Sequence, residues 1–115
     1  MSNKLMNLYN QLLEIFPNKV FYAHYVTSQI EMPYLIYQEL NKRSSLYADD
    51  LYLYKTSTVQ ITLVMNKKDL QIEKQLEDGL TLKGIEYQML SEYLGPDKTL
   101  HRIYEIKMEE FKSEQ

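Results

Sequence analysis

Apolar residues first recur at three- and four-residue spacing, at Leu5, Leu8, Tyr9, Leu12, Leu13 and Phe16. That spacing gathers them on one face of a helix. Ser2 or Asn3 stands where a cap accepts a hydrogen bond from the first turn. Pro17 and Asn18 end the run, because proline disfavours helix in the residue before it. Val20 to Tyr22 is short and β-prone, and Ala23 to Met32 has no clean period and reads as a loop. Pro33 opens a second strand, Tyr34 to Leu40, at a position where its missing N–H is tolerated. The polar stretch Asn41 to Asp50 reads as a long loop. Leu51 to Met65 is the longest strand: Val59, Ile61, Leu63 and Met65 point one way, and Thr58, Gln60, Thr62 and Val64 the other, the period of a half-buried strand.

A second helix follows, with Asn66 as its cap and Ile72, Leu76 and Leu80 as its buried stripe. Gly79 suits close packing, and Gly84 sits where a left-handed C-terminal cap belongs. Ile85, Tyr87 and Met89 then alternate, as do Leu100, Arg102, Tyr104, Ile106 and Met108. Gly95-Pro96-Asp97-Lys98 between them has turn chemistry, so the two runs form a hairpin. The order is α-β-β-β-α-β-β. Runs of strands with isolated helices predict an α+β fold, an antiparallel β-sheet flanked by two helices packed on one face.

The chain has 115 residues, the size of a single domain. Residues 1–115 are expected to form it, with Glu109 to Gln115 a frayed tail. A hydrophobic content of 44% excludes global disorder. Thirteen Lys and Arg against 16 Asp and Glu give a net charge of -3, which disfavours a strongly basic nucleic-acid binder. The absence of cysteine removes disulfides, thiolate zinc sites and cysteine nucleophiles. No apolar run approaches the roughly 18 residues of a membrane helix, and the first residues lack the apolar segment of a signal peptide. The expected location is a reducing, intracellular compartment.

Candidate chemistry is sparse. The glycines are Gly79, Gly84 and Gly95, so no glycine-rich loop brings backbone N–H groups onto a phosphate. No Gly-x-Ser-x-Gly elbow occurs. His24 lies between Tyr22 and Tyr25. It reads as a general base or metal ligand, or more simply as a histidine bonded to backbone. His101 falls on the face opposite Tyr104 and Ile106, where a surface histidine is the default. Asp49-Asp50 is the most tempting carboxylate pair, able to hold a hard cation if other oxygens converge, but adjacent loop aspartates are commonly solvated. Lys42-Arg43 and Lys67-Lys68 are the close basic pairs, without a continuous basic stripe.

The 11 tyrosines are more informative. Tyr34, Tyr37, Tyr47, Tyr52 and Tyr54 crowd the second strand, the long loop and the start of the third strand. Tyrosine covers apolar surface while keeping a wet hydroxyl, which suits an interface. Ordinary sheet packing explains the same set. Tyr52 and Tyr54 share one face while Leu51 and Leu53 take the other. A strand apolar on both faces needs cover on both, and two helices on one side leave the second face to another subunit.

The order and spacing of several segments resemble the tail-terminator, or head–tail joining, proteins of long-tailed phages and prophages of Gram-positive bacteria. The segments are Met32-Pro33-Tyr34-Leu35-Ile36-Tyr37, Tyr47-Ala48-Asp49-Asp50 with Tyr54, and Val59-Gln60-Ile61-Thr62-Leu63-Val64 running into Asn66-Lys67-Lys68-Asp69. Glu73 and Leu76, Glu86 to Tyr93, and Leu100 through Tyr104-Glu105-Ile106 complete the match over Val20 to Met108. The resemblance implies a structural virion protein without catalytic, cofactor or metal sites. Such proteins form a ring, usually a hexamer, that caps the tail tube and meets the head connector. The implied partners are the chain itself, the tail-tube protein and the head-connector protein, with DNA passing through unread and no membrane involved. Assembly in the host cytoplasm and a place in the tail neck are implied likewise. Ring contacts need two different matching patches. Tyr34, Tyr37, Arg43, Tyr47, Asp49, Asp50, Tyr52 and Tyr54 are the expected contributors to one of them. Two other readings compete: a small phage-derived interaction or regulatory module acting as monomer or dimer, and a small enzyme using Asp49, Asp50 and a histidine.

Overall fold

The computed structural model describes residues 3–23, 31–48, 51–95 and 97–111, with side chains for 5–23, 31–40, 58–95 and 97–108. The elements run α1 (Asn3–Ile15), β1 (Val20–Tyr22), β2 (Tyr34–Ala48), β3 (Leu51–Met65), α2 (Leu70–Leu82), β4 (Gln88–Leu94) and β5 (Leu100–Phe111). The fold is α+β, and the element order is the one the periodicity predicts. The five strands form one sheet in the order β1-β2-β3-β5-β4.

The helices share one face of that sheet. Leu5, Leu8, Leu12, Ile15 and Phe16 from α1 and Leu76 and Leu80 from α2 enter one core with Leu35, Tyr37, Val59, Ile61, Leu63, Met65, Tyr104 and Ile106 from the strands. Full burial of each large aliphatic side chain contributes about 1.5–3 kcal/mol. In β3 the four odd-numbered apolar residues are all core, and on the opposite face Thr62 and Val64 are buried too, so this part of the strand is covered on both sides rather than half-buried. Gly79 allows the helices to meet, since a Cβ there would stand 2.7 Å from Ile15 Cδ1. Gln75 Nε2 donates to the Ile15 carbonyl at 2.9 Å, supplying a partner for a helix-end carbonyl that no further turn can satisfy. Lys83 pairs with Glu14 beside it.

The end of α2 is a Schellman motif. Ile85 N–H donates to Leu80 O at 2.9 Å and Gly84 N–H to Thr81 O at 3.0 Å. Gly84 takes φ 71°, a conformation that costs a residue with a Cβ about 1–2 kcal/mol. This use of the Ile85 N–H delays β4, which begins at Gln88 rather than at Ile85.

Four sequence expectations are corrected: to begin with, Glu109 to Phe111, expected in a frayed tail, continue β5 and pair with Thr56, Lys55 and Tyr54 of β3. The sheet is mixed rather than wholly antiparallel: β1 runs parallel to β2, with Val20 opposite Leu35 and Tyr22 opposite Tyr37. Eleven residues of sequence separate the two strands, close to the length a parallel connection needs. The polar stretch from Asn41 is not a loop. Residues 41–48 continue β2 and pair with β3 from Thr58 to Leu51 after a register shift at Glu39/Asn41. Backbone ladder bonds hold this pairing, and they do not require apolar alternation. Finally, α2 is capped by Asp69 rather than Asn66. Asp69 Oδ1 accepts from Gln71 N at 3.0 Å and Ile72 N at 3.3 Å.

Beyond Val59 the sheet narrows to an arm of β2, β3 and β5, with Tyr54 opposite Phe111 at its far register. The molecule measures 51 × 28 × 24 Å, and its long axis matches a 15-residue strand at about 3.3 Å per residue.

Candidate functional site

The sheet face away from the helices is the first candidate surface. Tyr34, Val64, His101 and Tyr93 lie side by side across β2, β3, β5 and β4, and Ile36, Thr62, Ile103 and Ser91 form the next row. Tyr34 meets Phe21 edge-on at 6.0 Å, and Tyr93 stacks on His101 at 5.0 Å. His101 Nε2 lies 3.0 Å from Thr99 Oγ1, which in turn donates to Asp97 Oδ1 at 2.7 Å. Hydrogen bonds from Thr99 hold the Asp97 carboxyl below its usual range. Burial, then the nearby Asp97 charge, pushes the Tyr34 phenol up. This chain of contacts fixes the turn between β4 and β5. Thr99 is buried and already bonded, so it is not poised as a nucleophile.

Tyr37 is a correction to the expected surface set. It lies on the opposite face from Tyr34 because strand side chains alternate. It is buried in the core with Tyr9 and Tyr22 at 5.6 and 5.0 Å. Burial, then these two neighbours, raises its pKa. It packs within the core of the chain. Arg43, Tyr47, Tyr52 and Tyr54 fall on the arm strands, and their side chains lie outside the described residues. So do Asp49, Asp50 and His24 in full.

Under the helices lies a charged cluster that sequence reasoning missed. Arg102 projects from β5 toward α2 and is only 14% exposed. Its Nε donates to Tyr104 Oη at 2.7 Å, Nη1 to Glu92 Oε1 at 2.9 Å and Nη2 to Glu77 Oε2 at 3.1 Å. Tyr104 Oη donates to Glu77 Oε2 at 2.6 Å. Lys68 Nζ donates to Glu92 at 3.0 Å and pairs with the buried Glu73 Oε2 at 2.9 Å. Burial disfavours the charged forms of both Arg102 and Glu92. The hydrogen bonds outweigh it, holding the Arg102 guanidinium above its usual range and the Glu92 carboxyl below. Burial and then the bond to Glu77 push the Tyr104 phenol up. Two cations face three carboxylates, and their polar atoms are turned on one another. Among the described residues no group of three His, Asp or Glu side chains could hold a metal ion.

One signal for this cluster was present in the sequence. Arg102 alternates with Leu100, Tyr104 and Ile106 on the buried side of its strand. Glu73 sits three residues before Leu76 and seven before Leu80, inside the apolar stripe of α2. A charge at a core position requires a partner.

The third feature is the outer edge of β4. Met89, Leu90, Tyr93 and Leu94 are 43%, 47%, 49% and 67% exposed. Where β4 begins, Glu86, Tyr87, Gln88, Glu105 and Lys107 line a cavity of about 180 Å³. A smaller hollow of about 120 Å³ lies by Met32, Pro33, Met65 and the start of α2. No helix among the described residues is long and apolar enough to cross a membrane. No protein-family model and no curated protein matches this chain.

Proposed function

We propose that the protein is a structural assembly protein of the tail-terminator type. Copies of the chain form a ring, with six the expected number, that caps a phage tail tube and joins it to the head connector. In this reading it is not an enzyme, it acts in the virion neck, and DNA passes through the ring without being read. The observation that carries the reading is the arm. The backbone ladder of β2, β3 and β5 runs on to Ala48, Leu51 and Phe111, beyond Val59 and Ile106 and the Met108 that packs against them among the described side chains. A three-stranded ladder of this length suits contact with another chain. The sequence resemblance supports the same conclusion.

Light scattering of the purified chain across a concentration series tests it. The expected mass is about 83 kDa, six times the 13.8 kDa chain. A monomer or dimer throughout, unchanged when tail-tube protein is added, overturns the ring and leaves the interaction module as the better account.

A further inference from the structure

We propose that residues 88–92 of β4 form a strap that opens from β5 independently of the rest of the fold, and that Glu92 is the latch that holds it shut. Neither statement depends on the ring reading. Among the described residues β4 is hydrogen-bonded on one side only, to β5. It can therefore part from the sheet without breaking another ladder, the kind of local opening that small stretches of a fold undergo.

The two ends of the strap are tied down. Before it, Tyr87 packs against the core and sets its ring edge-on to Tyr104 at 5.6 Å. After it, Tyr93 stacks on His101 at 5.0 Å. The turn beyond is closed by Gly95 N–H donating to Thr99 O at 2.7 Å and Lys98 N–H donating to Gly95 O at 2.9 Å. A Cβ at Gly95 would stand 2.8 Å from His101 Nε2, so this end is closely packed. Between these anchors the packing stops. Gln88, Met89, Leu90 and Ser91 are exposed, and the core contains no side chain from residues 88–92. The register with β5 shifts between Met89 and Ser91, and Leu90 has no counterpart on β5. An extra residue of this kind interrupts the ladder locally.

Glu92 is the exception within the strap. Its side chain is turned inward and 25% exposed. Its two carboxylate oxygens accept from Lys68 Nζ at 3.0 and 3.2 Å, and one of them also accepts from Arg102 Nη1 at 2.9 Å. Lys68 leads into α2 and Arg102 lies on β5, so one carboxylate joins the strap to both layers of the fold. Bonds between ionised partners are stronger than neutral ones. Behind the latch lie Arg102 and the buried Tyr104, opposite Glu92 and Met89 in the ladder. Opening the strap frees this flank of β5 and brings water to the Arg102 guanidinium.

Amide hydrogen exchange of the full chain, followed residue by residue by NMR in a urea series well below the unfolding transition, tests the device. In the wild type, the β4 amides that donate to β5 are expected to exchange at least about tenfold faster than those of residues 59–64 in β3. Their rates should hardly change with urea, because a small opening exposes little surface. Glu92→Ala should speed the strap amides by a further factor of about ten or more relative to β3. Lys68→Met, which removes one of the two cations from outside the strap, should give a smaller increase with the same pattern. Strap amides protected as strongly as β3, with the same urea dependence, overturn the separate opening. Acceleration spread evenly over β3, β5 and the strap in Glu92→Ala overturns the latch by showing that Glu92 serves the whole fold. A strap that opens in the wild type and is indifferent to both substitutions overturns it as well.

Discussion

Replacing Arg102 by methionine removes a buried cation while keeping an unbranched apolar stem, so the effect is one of charge rather than of a cavity. The variant loses three hydrogen bonds, to Tyr104, Glu92 and Glu77. It leaves Glu73, which is 7% exposed, and two neighbouring carboxylates facing Lys68 alone. Breaking a buried ion pair from one side costs about 3–5 kcal/mol. Glu77 and Glu92 retain some solvent at 29% and 25% exposure, which reduces the expected loss to about 2–4 kcal/mol. Unfolding entropy of about 2.1 cal/mol/K per residue gives about 0.24 kcal/mol/K for this chain, so Tm should fall by about 8–16 °C. Urea denaturation followed by circular dichroism, near pH 7 and at about pH 4.5, measures both the loss and its cause. The Glu92 carboxyl is held below its unfolded value. Its contribution is therefore present above the unfolded carboxylate pKa and is lost as pH falls through the folded one. In the variant the guanidinium is gone and the carboxylates repel one another, so protonation relieves the folded state. The gap between wild type and variant should narrow on acidification. A loss below about 0.5 kcal/mol near neutral pH, or a gap that does not change with pH, refutes the reasoning by showing that solvent already screens the cluster.

Three other outcomes follow from the packing and the arm. Asp69→Ala should cost about 1 kcal/mol in urea melts, because two N–H groups of the first turn of α2 lose their acceptor. Gly79→Ala should destabilise by up to about 2 kcal/mol despite alanine's better helix propensity, since its Cβ enters the Ile15 side chain; a stabilised variant would show that the helices stand farther apart. Replacing Tyr52 and Tyr54 together by serine should yield a folded monomer by light scattering, and an intact ring would show that the arm tyrosines are not needed for assembly.

Much of the architecture was legible from local pattern. The helical spacing of Leu5, Leu8 and Leu12 reports one buried face, and the alternation from Val59 to Met65 reports the core side of β3, although Thr62 and Val64 on its other side are buried as well. Gly84 was legible because a left-handed residue at a helix end has few substitutes. The rest depends on long-range partners. Residues 41–48 extend β2 through a backbone ladder to β3, which leaves no apolar alternation to read. The parallel placement of β1 is set by its partner Leu35–Tyr37 rather than by its own three residues. Asn66 and Asp69 are both good cap residues, and only the actual start of α2 separates them. Tyr37 looked like a surface residue because tyrosine suits both interface and sheet. Its neighbours Tyr9 and Tyr22 come from other elements. The Arg102 cluster joins residues from α2, its lead-in, β4 and β5, so its full membership appears only in three dimensions.

The strand order also governs how the chain emerges during synthesis. Strand β5 lies between β3 and β4, yet it is made after both. Until it leaves the ribosome, β4 has no partner in the sheet, β3 has an open flank and Glu77 lacks both Arg102 and Tyr104. The nascent chain can form α1, the β2–β3 pair and fluctuating turns of α2, but the central layer closes only when β5 slots in. Closure of the sheet is thus deferred until β5 has been made, and the central layer then forms in one cooperative step.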